Sequence, residues 1–115
     1  NTISSLKSNL ESLYFKNCQG LTDLYPLIKN CPNIIHLGIN DCYCFKDISY
    51  FHQFPNLEML SLDRCKNIKN LKLLNKCLKL KKLYIYKCHN TENIEELTEN
   101  LYWVEIMNYP ADLDY

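Results

Sequence analysis

The chain has 115 residues, 13 basic and 13 acidic side chains, a formal net charge of zero and 47% apolar residues. That length holds one domain or a piece of one, and the charge balance removes any bulk electrostatic drive toward nucleic acid or an anionic membrane. No stretch approaches the roughly 18 consecutive apolar residues a membrane helix requires, and no signal-peptide pattern opens the sequence.

Taken in order, the chain starts at Asn1, with Ile3 and Leu6 spaced like the tail of a helix; residues 1–8 are expected to be the end of a preceding unit or a cap. The first unit follows as Leu10-x-x-Leu13-x-Phe15-x-x-Cys18, then Leu21, Leu24 and Leu27 at steps of three. The first half alternates as a strand with one buried face does, and the second suits a short helical or 3₁₀ return. Pro26 fits only near the start of a helix, which keeps that return short. The second unit, Ile34-x-x-Leu37-x-Ile39-x-x-Cys42 with Phe45, Ile48 and Phe51, is the most aromatic, adding Tyr50 and Phe54.

Asn56 to Cys77 gives the cleanest unit: Leu57-x-x-Leu60-x-Leu62-x-x-Cys65, then Ile68, Leu71, Leu74 and Cys77. A fourth runs Leu80-x-x-Leu83-x-Ile85-x-x-Cys88 with Thr91, Ile94 and Leu97, and is shorter behind its cysteine. Leu101-x-x-Val104-x-Ile106-x-x-Tyr109 closes the series with Tyr in the cysteine slot. Residues 110–115, with Pro110, are expected to be an exit or capping tail, as terminal repeats deviate. A strand with a returning helix cannot bury both apolar faces alone, so each unit needs a copy on either side. A shift of register by one would carry charged residues into the core.

Seven cysteines form an odd count, and Cys18, Cys42, Cys65 and Cys88 follow the repeat at steps of 24, 23 and 23. Their expected role is structural: small, buried and apolar, with a weak S–H donor toward loop carbonyls. Cys31 and Cys77 stand where Phe54 stands in the second unit, so they too read as core. Reduced thiols fit an intracellular, reducing compartment, cytoplasm or nucleus, with the mitochondrial matrix as the alternative.

Period, LxxLxL strand and cysteine at the turn resemble leucine-rich repeats of the cysteine-containing type, best known from F-box substrate receptors of cullin ubiquitin ligases. Cys31-Pro-Asn-Ile-Ile-His-Leu-Gly-Ile-Asn-Asp-Cys42 resembles that family's repeat opening, and Gly20-Leu21-Thr22-Asp23 its continuation after the cysteine. The resemblance implies an α/β leucine-rich repeat solenoid of about four to five repeats over residues 9–109, with parallel strands on the concave face and short helices on the convex face. It further implies protein partners, among them a cullin-ligase adaptor reached through a region upstream of this sequence, and no cofactor. Short repeats of this kind also resemble mitochondrial coupling factor B, an accessory subunit associated with the ATP synthase. An effector-type repeat protein is a third possibility.

Strand alternation sends the residues between the buried leucines to the concave face. Tyr84, Tyr86, Trp103, Met59 and Met107 are the strongest candidates for partner binding there, because aromatic and Met side chains are enriched at interface cores. Tyr14, His36, Asp63, Arg64, Lys82 and Glu105 share that face by the same count. The plainer alternative is that strands favour Tyr and Trp through cross-strand pairing alone.

Charge is sorted along the chain: nine basic and no acidic residues from Arg64 to Lys87, then seven acidic and no basic ones from Cys88 to Tyr115. Solvated faces on adjacent repeats account for this, or a bipolar docking surface does. The lysines fall on both sides of the repeat, which disfavours a nucleic-acid stripe. His36, His52 and His89 occupy different repeat positions and no phosphate-binding glycine loop is present; a metal site on Cys42-x-Cys44 with His52 is conceivable, since Cys44 and His52 lie off the repeat scaffold, but the spacing matches no strong zinc ligand pattern. The expectation is a non-enzyme without a metal site.

Overall fold

The computed structural model describes residues 9–97, 101 and 103–107. Strands β1 (Ser12–Lys16), β2 (His36–Asn40), β3 (Met59–Asp63), β4 (Lys82–Tyr86) and β5 (Trp103–Met107) form one parallel sheet in chain order. Helix α1 (Tyr25–Asn30) and the 3₁₀ segments Ile48–Gln53, Leu71–Lys76 and Ile94–Glu96 form the returns between them. The protein is an α/β leucine-rich-repeat solenoid, and its repeat sets the register. Leu37 pairs with Leu60 and Leu60 with Leu83, while Ile39, Leu62 and Ile85 do the same two positions on. Lys82 pairs with Trp103, two residues sooner than the step from Met59 to Lys82, because the fourth unit is short.

Each of the first four strands is followed by a residue with left-handed backbone: Asn17 at φ 56°, Asp41 at 58°, Arg64 at 56° and Lys87 at 54°. Asn and Asp tolerate that region, whereas at Arg64 and Lys87 it costs on the order of 1 kcal/mol. The bend has a return: the amide of each residue donates to the next strand, Asp41 N to Asp63 O at 2.7 Å and Arg64 N to Tyr86 O at 2.8 Å. The next residue is then the inward-facing cysteine.

Five residues past each cysteine stands an Asx residue. Asp23, Asp47 and Asn70 accept from the amide two residues on, at 2.9, 3.1 and 3.2 Å. That side-chain cap satisfies an orphan donor at the start of each return. At the fourth such position Asn93 is itself left-handed, makes no side-chain cap, and the 3₁₀ segment shrinks to three residues. Pro26 lies in the first turn of α1, where its missing N–H is harmless.

The core is the stack of these apolar positions. Leu24, Leu27, Phe45, Ile48, Phe51, Ile68, Leu71 and Leu74 meet the strand side chains from the convex half, and no polar or charged side chain among the described residues is buried. Phe45 and Phe51 rings lie 5.6 Å apart. Each fully buried Leu, Ile or Phe is worth roughly 1.5–3 kcal/mol.

The ends depart from the expected pattern. Cys18 is only half-buried, as are Leu10, Leu13 and Phe15 of the first unit. In the last units Ile94 and Val104 are exposed and Thr91, Leu97, Leu101 and Ile106 half-buried, although their spacing follows the repeat. The first unit nevertheless buries Leu21, Leu24 and Leu27 on its convex half. The segment 1–8, Tyr109 in the last cysteine slot and the tail 110–115 lie outside the described residues.

Candidate functional site

The parallel register collects the predicted surface residues into rows across one face. His36, Met59, Lys82 and Trp103 pair in sequence along one row that begins at Ser12. Tyr14, Gly38, Ser61, Tyr84 and Glu105 make the second, and Lys16, Asn40, Asp63, Tyr86 and Met107 the third. Arg64 stands just past β3, its Nη1 3.2 Å from Asp63 Oδ1. This pair is open to solvent and contributes at most about 1 kcal/mol.

The rows are not uniform. On β4 and β5 the aromatic and apolar side chains gather: the Tyr84 and Tyr86 rings stack at 6.2 Å with 24° between planes. Trp103 is half exposed and Met107 more than a third. Tyr86 donates its phenol proton to the Glu105 carboxylate on the neighbouring strand. A phenolate beside a carboxylate is unfavourable, so this bond pushes the Tyr86 phenol up to about 12, with burial and the Glu105 charge adding to it. The bond also holds the ring of Tyr86 in place against Tyr84. On the β1–β2 side, His36 Nδ1 is 3.2 Å from Ser12 Oγ, and the Tyr14 ring covers Gly38.

Sequence reasoning missed that last contact. A glycine inside a strand marks a close approach, and Gly38 at the register position beside Tyr14 carried the signal. It also missed the left-handed position before each cysteine, since Arg64 and Lys87 give no hint of positive φ.

The repeat cysteines serve the scaffold. Cys42 Sγ donates to Asn40 O at 3.3 Å, Cys65 Sγ to Ile39 O at 3.4 Å, and Cys88 Sγ to Leu62 O at 3.5 Å. Each thiol thus satisfies a carbonyl of its own strand or the preceding one. Burial pushes the thiols of Cys31, Cys42 and Cys77 up, and Cys65 is raised first by its hydrogen bond with the Cys88 thiol and then by burial. Its partner Cys88 moves the other way, lowered first by that same hydrogen bond; the raised thiols stay protonated and are poor nucleophiles and poor metal ligands. Cys44 is exposed, but no group of three or more His, Cys, Asp or Glu among the described residues is placed to hold a metal ion. His52 lies exposed on a convex 3₁₀ segment, away from the sheet rows that hold His36.

No protein-family model matches the chain, and no curated protein matches it. Among solved structures it is similar to an internalin C2 from Listeria monocytogenes, with 23% identity and a TM-score of 0.65 over 87% of this chain. It is also similar to an internalin from the same organism, with 17% identity and a TM-score of 0.55 over 86% of this chain. The chain spans 43% and 35% of those two proteins, less than half of either. Both neighbours are leucine-rich-repeat proteins, and what the chain shares with them is that fold.

Proposed function

We propose that this chain is a protein-recognition module that binds its partner through the concave sheet. The observation carrying this is the cluster on β4 and β5, where the stacked Tyr84 and Tyr86 stand beside half-exposed Trp103 and Met107. Tyr and Trp lose little entropy on binding and are enriched at interface hot spots, and Met is enriched at interfaces. These side chains gather on the solvent side of the sheet, with Trp103 half exposed and Met107 more than a third.

Within that function we read the chain as the substrate-recognition part of an F-box-type ubiquitin ligase receptor. The support is the cysteine-type turn repeated in four units, with thiols bonded to strand carbonyls as a reducing interior allows. The cullin-ligase adaptor would be reached through chain outside this sequence. The compartment proposed is intracellular and reducing, supported by seven free thiols, five of them buried. The sorting of basic and acidic residues along the chain favours a second reading, a structural subunit docked in a larger assembly.

Affinity purification of the full gene product from its own cells, followed by mass spectrometry, tests this. Cullin and adaptor in the eluate, with a further protein lost in a Tyr84→Ala/Trp103→Ala variant, support the receptor reading. A fixed stoichiometric organellar complex supports the subunit reading. A partner set unchanged by that variant sinks the concave-face assignment.

A further inference from the structure

The turn entering β4 reads Lys76-Cys77-Leu78-Lys79-Leu80-Lys81-Lys82. Cys77 and Leu80 point into the core, while Leu78 is 79% exposed, more than any other large apolar side chain among the described residues. Lys76, Lys79, Lys81 and Lys82 around it are all exposed.

Three recesses meet along this edge of the solenoid. One of about 220 Å³ opens at the starts of β2, β3 and β4, with His36, Lys81 and Lys82 around it and Glu58 on its lip. The next, about 490 Å³, surrounds Leu78 between Glu58, Lys79 and Lys81. A third, about 210 Å³, continues to the convex side between Phe54-Pro55 and Lys76. Among the described residues, Lys76, Lys79, Lys81 and Lys82 line these adjoining recesses with one carboxylate, Glu58, and the uncovered Leu78 lies between them.

We propose that this edge docks an acidic segment of a protein partner that carries apolar residues among its carboxylates. An apolar side chain covers Leu78, and carboxylates settle beside Lys79, Lys81 and Lys82. The commitment to an acidic occupant follows from charge complementarity, since a rim on which lysines outnumber the one carboxylate, Glu58, is net positive and attracts opposite charge. The commitment to a peptide follows from shape: a 220 Å³ recess takes one side chain, whereas a lipid surface asks for a flat basic face without Glu58 in it. Other exposed lysines, such as Lys69 and Lys72, have no comparable exposed leucine beside them. The proposal rests on the chain being a protein-recognition module, and it adds a second contact beside the aromatic rows.

The probe is a fluorescent peptide of Asp and Glu with Leu at every third position, titrated by anisotropy at low and at high salt against the full chain. Binding is expected at low salt and is expected to weaken as salt rises, because exposed charges are screened beyond roughly 10 Å at 0.1 M. Lys79→Glu/Lys81→Glu should weaken it by about tenfold or more, equivalent to about 1.4 kcal/mol. Leu78→Ser should weaken it with the charges intact, which keeps the test open should the double variant fold poorly. Lys29→Glu on α1 should leave it unchanged. Absence of binding overturns the proposal, as does binding lost only in Tyr86→Ala, which would leave the concave-face reading standing. Capture by anionic vesicles but not by the peptide, or concentration-dependent self-association without peptide binding, overturns it in favour of a lipid surface or a second copy.

Discussion

The ring of Tyr14 on β1 occupies the space that a side chain on Gly38 of β2 would need: a β-carbon there would come within 2.3 Å of Tyr14 Cδ1. Tyr14 remains 61% exposed, yet its ring leaves Gly38 buried. An aromatic side chain laid over a strand glycine restores the packing that the missing side chain forfeits. Gly38→Ala should therefore destabilise the protein by about 1–2 kcal/mol by forcing the ring off its seat. In a Tyr14→Ala background the same change should be neutral or stabilising by about 0.5 kcal/mol, since alanine suits a strand interior better than glycine. Urea unfolding of the four proteins gives the coupling; equal effects in both backgrounds would show that the ring does not need the glycine.

The solenoid itself was readable from apolar spacing, because stacked repeats reuse one pattern and each misplacement would bury a charge. Leu60, Leu62 and Cys65 are buried as the pattern demands, and the rows of surface residues follow from the same alternation. What spacing could not reveal is set by neighbours. Val104 and Ile94 keep the repeat spacing but are exposed, which the spacing alone does not show. Gly38 reads as a weak strand position until the parallel register sets Tyr14 beside it. The edge around Leu78 reads as an ordinary lysine run, because the sequence shows neither which way Leu78 turns nor that three recesses join there.

Cys65 has no exposed surface, and its thiol is bonded to the carbonyls of Ile39 and Asp63. Cys65→Ala should cost roughly 1–2 kcal/mol through lost volume and unsatisfied carbonyls. Cys65→Asp should cost about 3–5 kcal/mol or prevent folding, because nothing nearby compensates a buried carboxylate. Cys44→Ser, at an exposed position in the turn after Cys42, should stay within about 0.5 kcal/mol of the parent. Chemical denaturation of the three variants checks the order, and a stable Cys65→Asp protein would contradict the buried structural role.

Buried thiols also set an alkaline limit. Cys77 is pushed from an ordinary value of 9.0 up to about 12 by desolvation, and Cys31 and Cys42 move the same way for the same cause. A raised thiol contributes stability that is complete below the unfolded value and is lost as pH rises toward the folded one. Between pH 9 and about 12 the unfolded chain releases the Cys77 proton while the folded chain keeps it. Over that window Cys77 removes about 1.4 kcal/mol per pH unit. Urea midpoints measured at pH 7 and pH 10 should fall for the parent, and by less for Cys77→Ala. An identical fall in both proteins would assign the loss to other groups.

Tyr86 and Glu105 offer a test on the recognition face. The phenol of Tyr86 is held up at about 12 chiefly because it donates to the Glu105 carboxylate. Glu105→Gln keeps an acceptor but removes the charge, so the Tyr86 transition should move down toward the ordinary tyrosine value near 10. Ultraviolet titration of parent and variant, each compared with its Tyr86→Phe counterpart, isolates that one tyrosine. The same substitution loosens the ring stacked on Tyr84, so partner binding through this face should weaken several-fold while the urea midpoint at pH 7 changes little. A transition that stays near 12 in Glu105→Gln would mean that burial, not the carboxylate, holds the proton, and the face would then owe its order to packing alone.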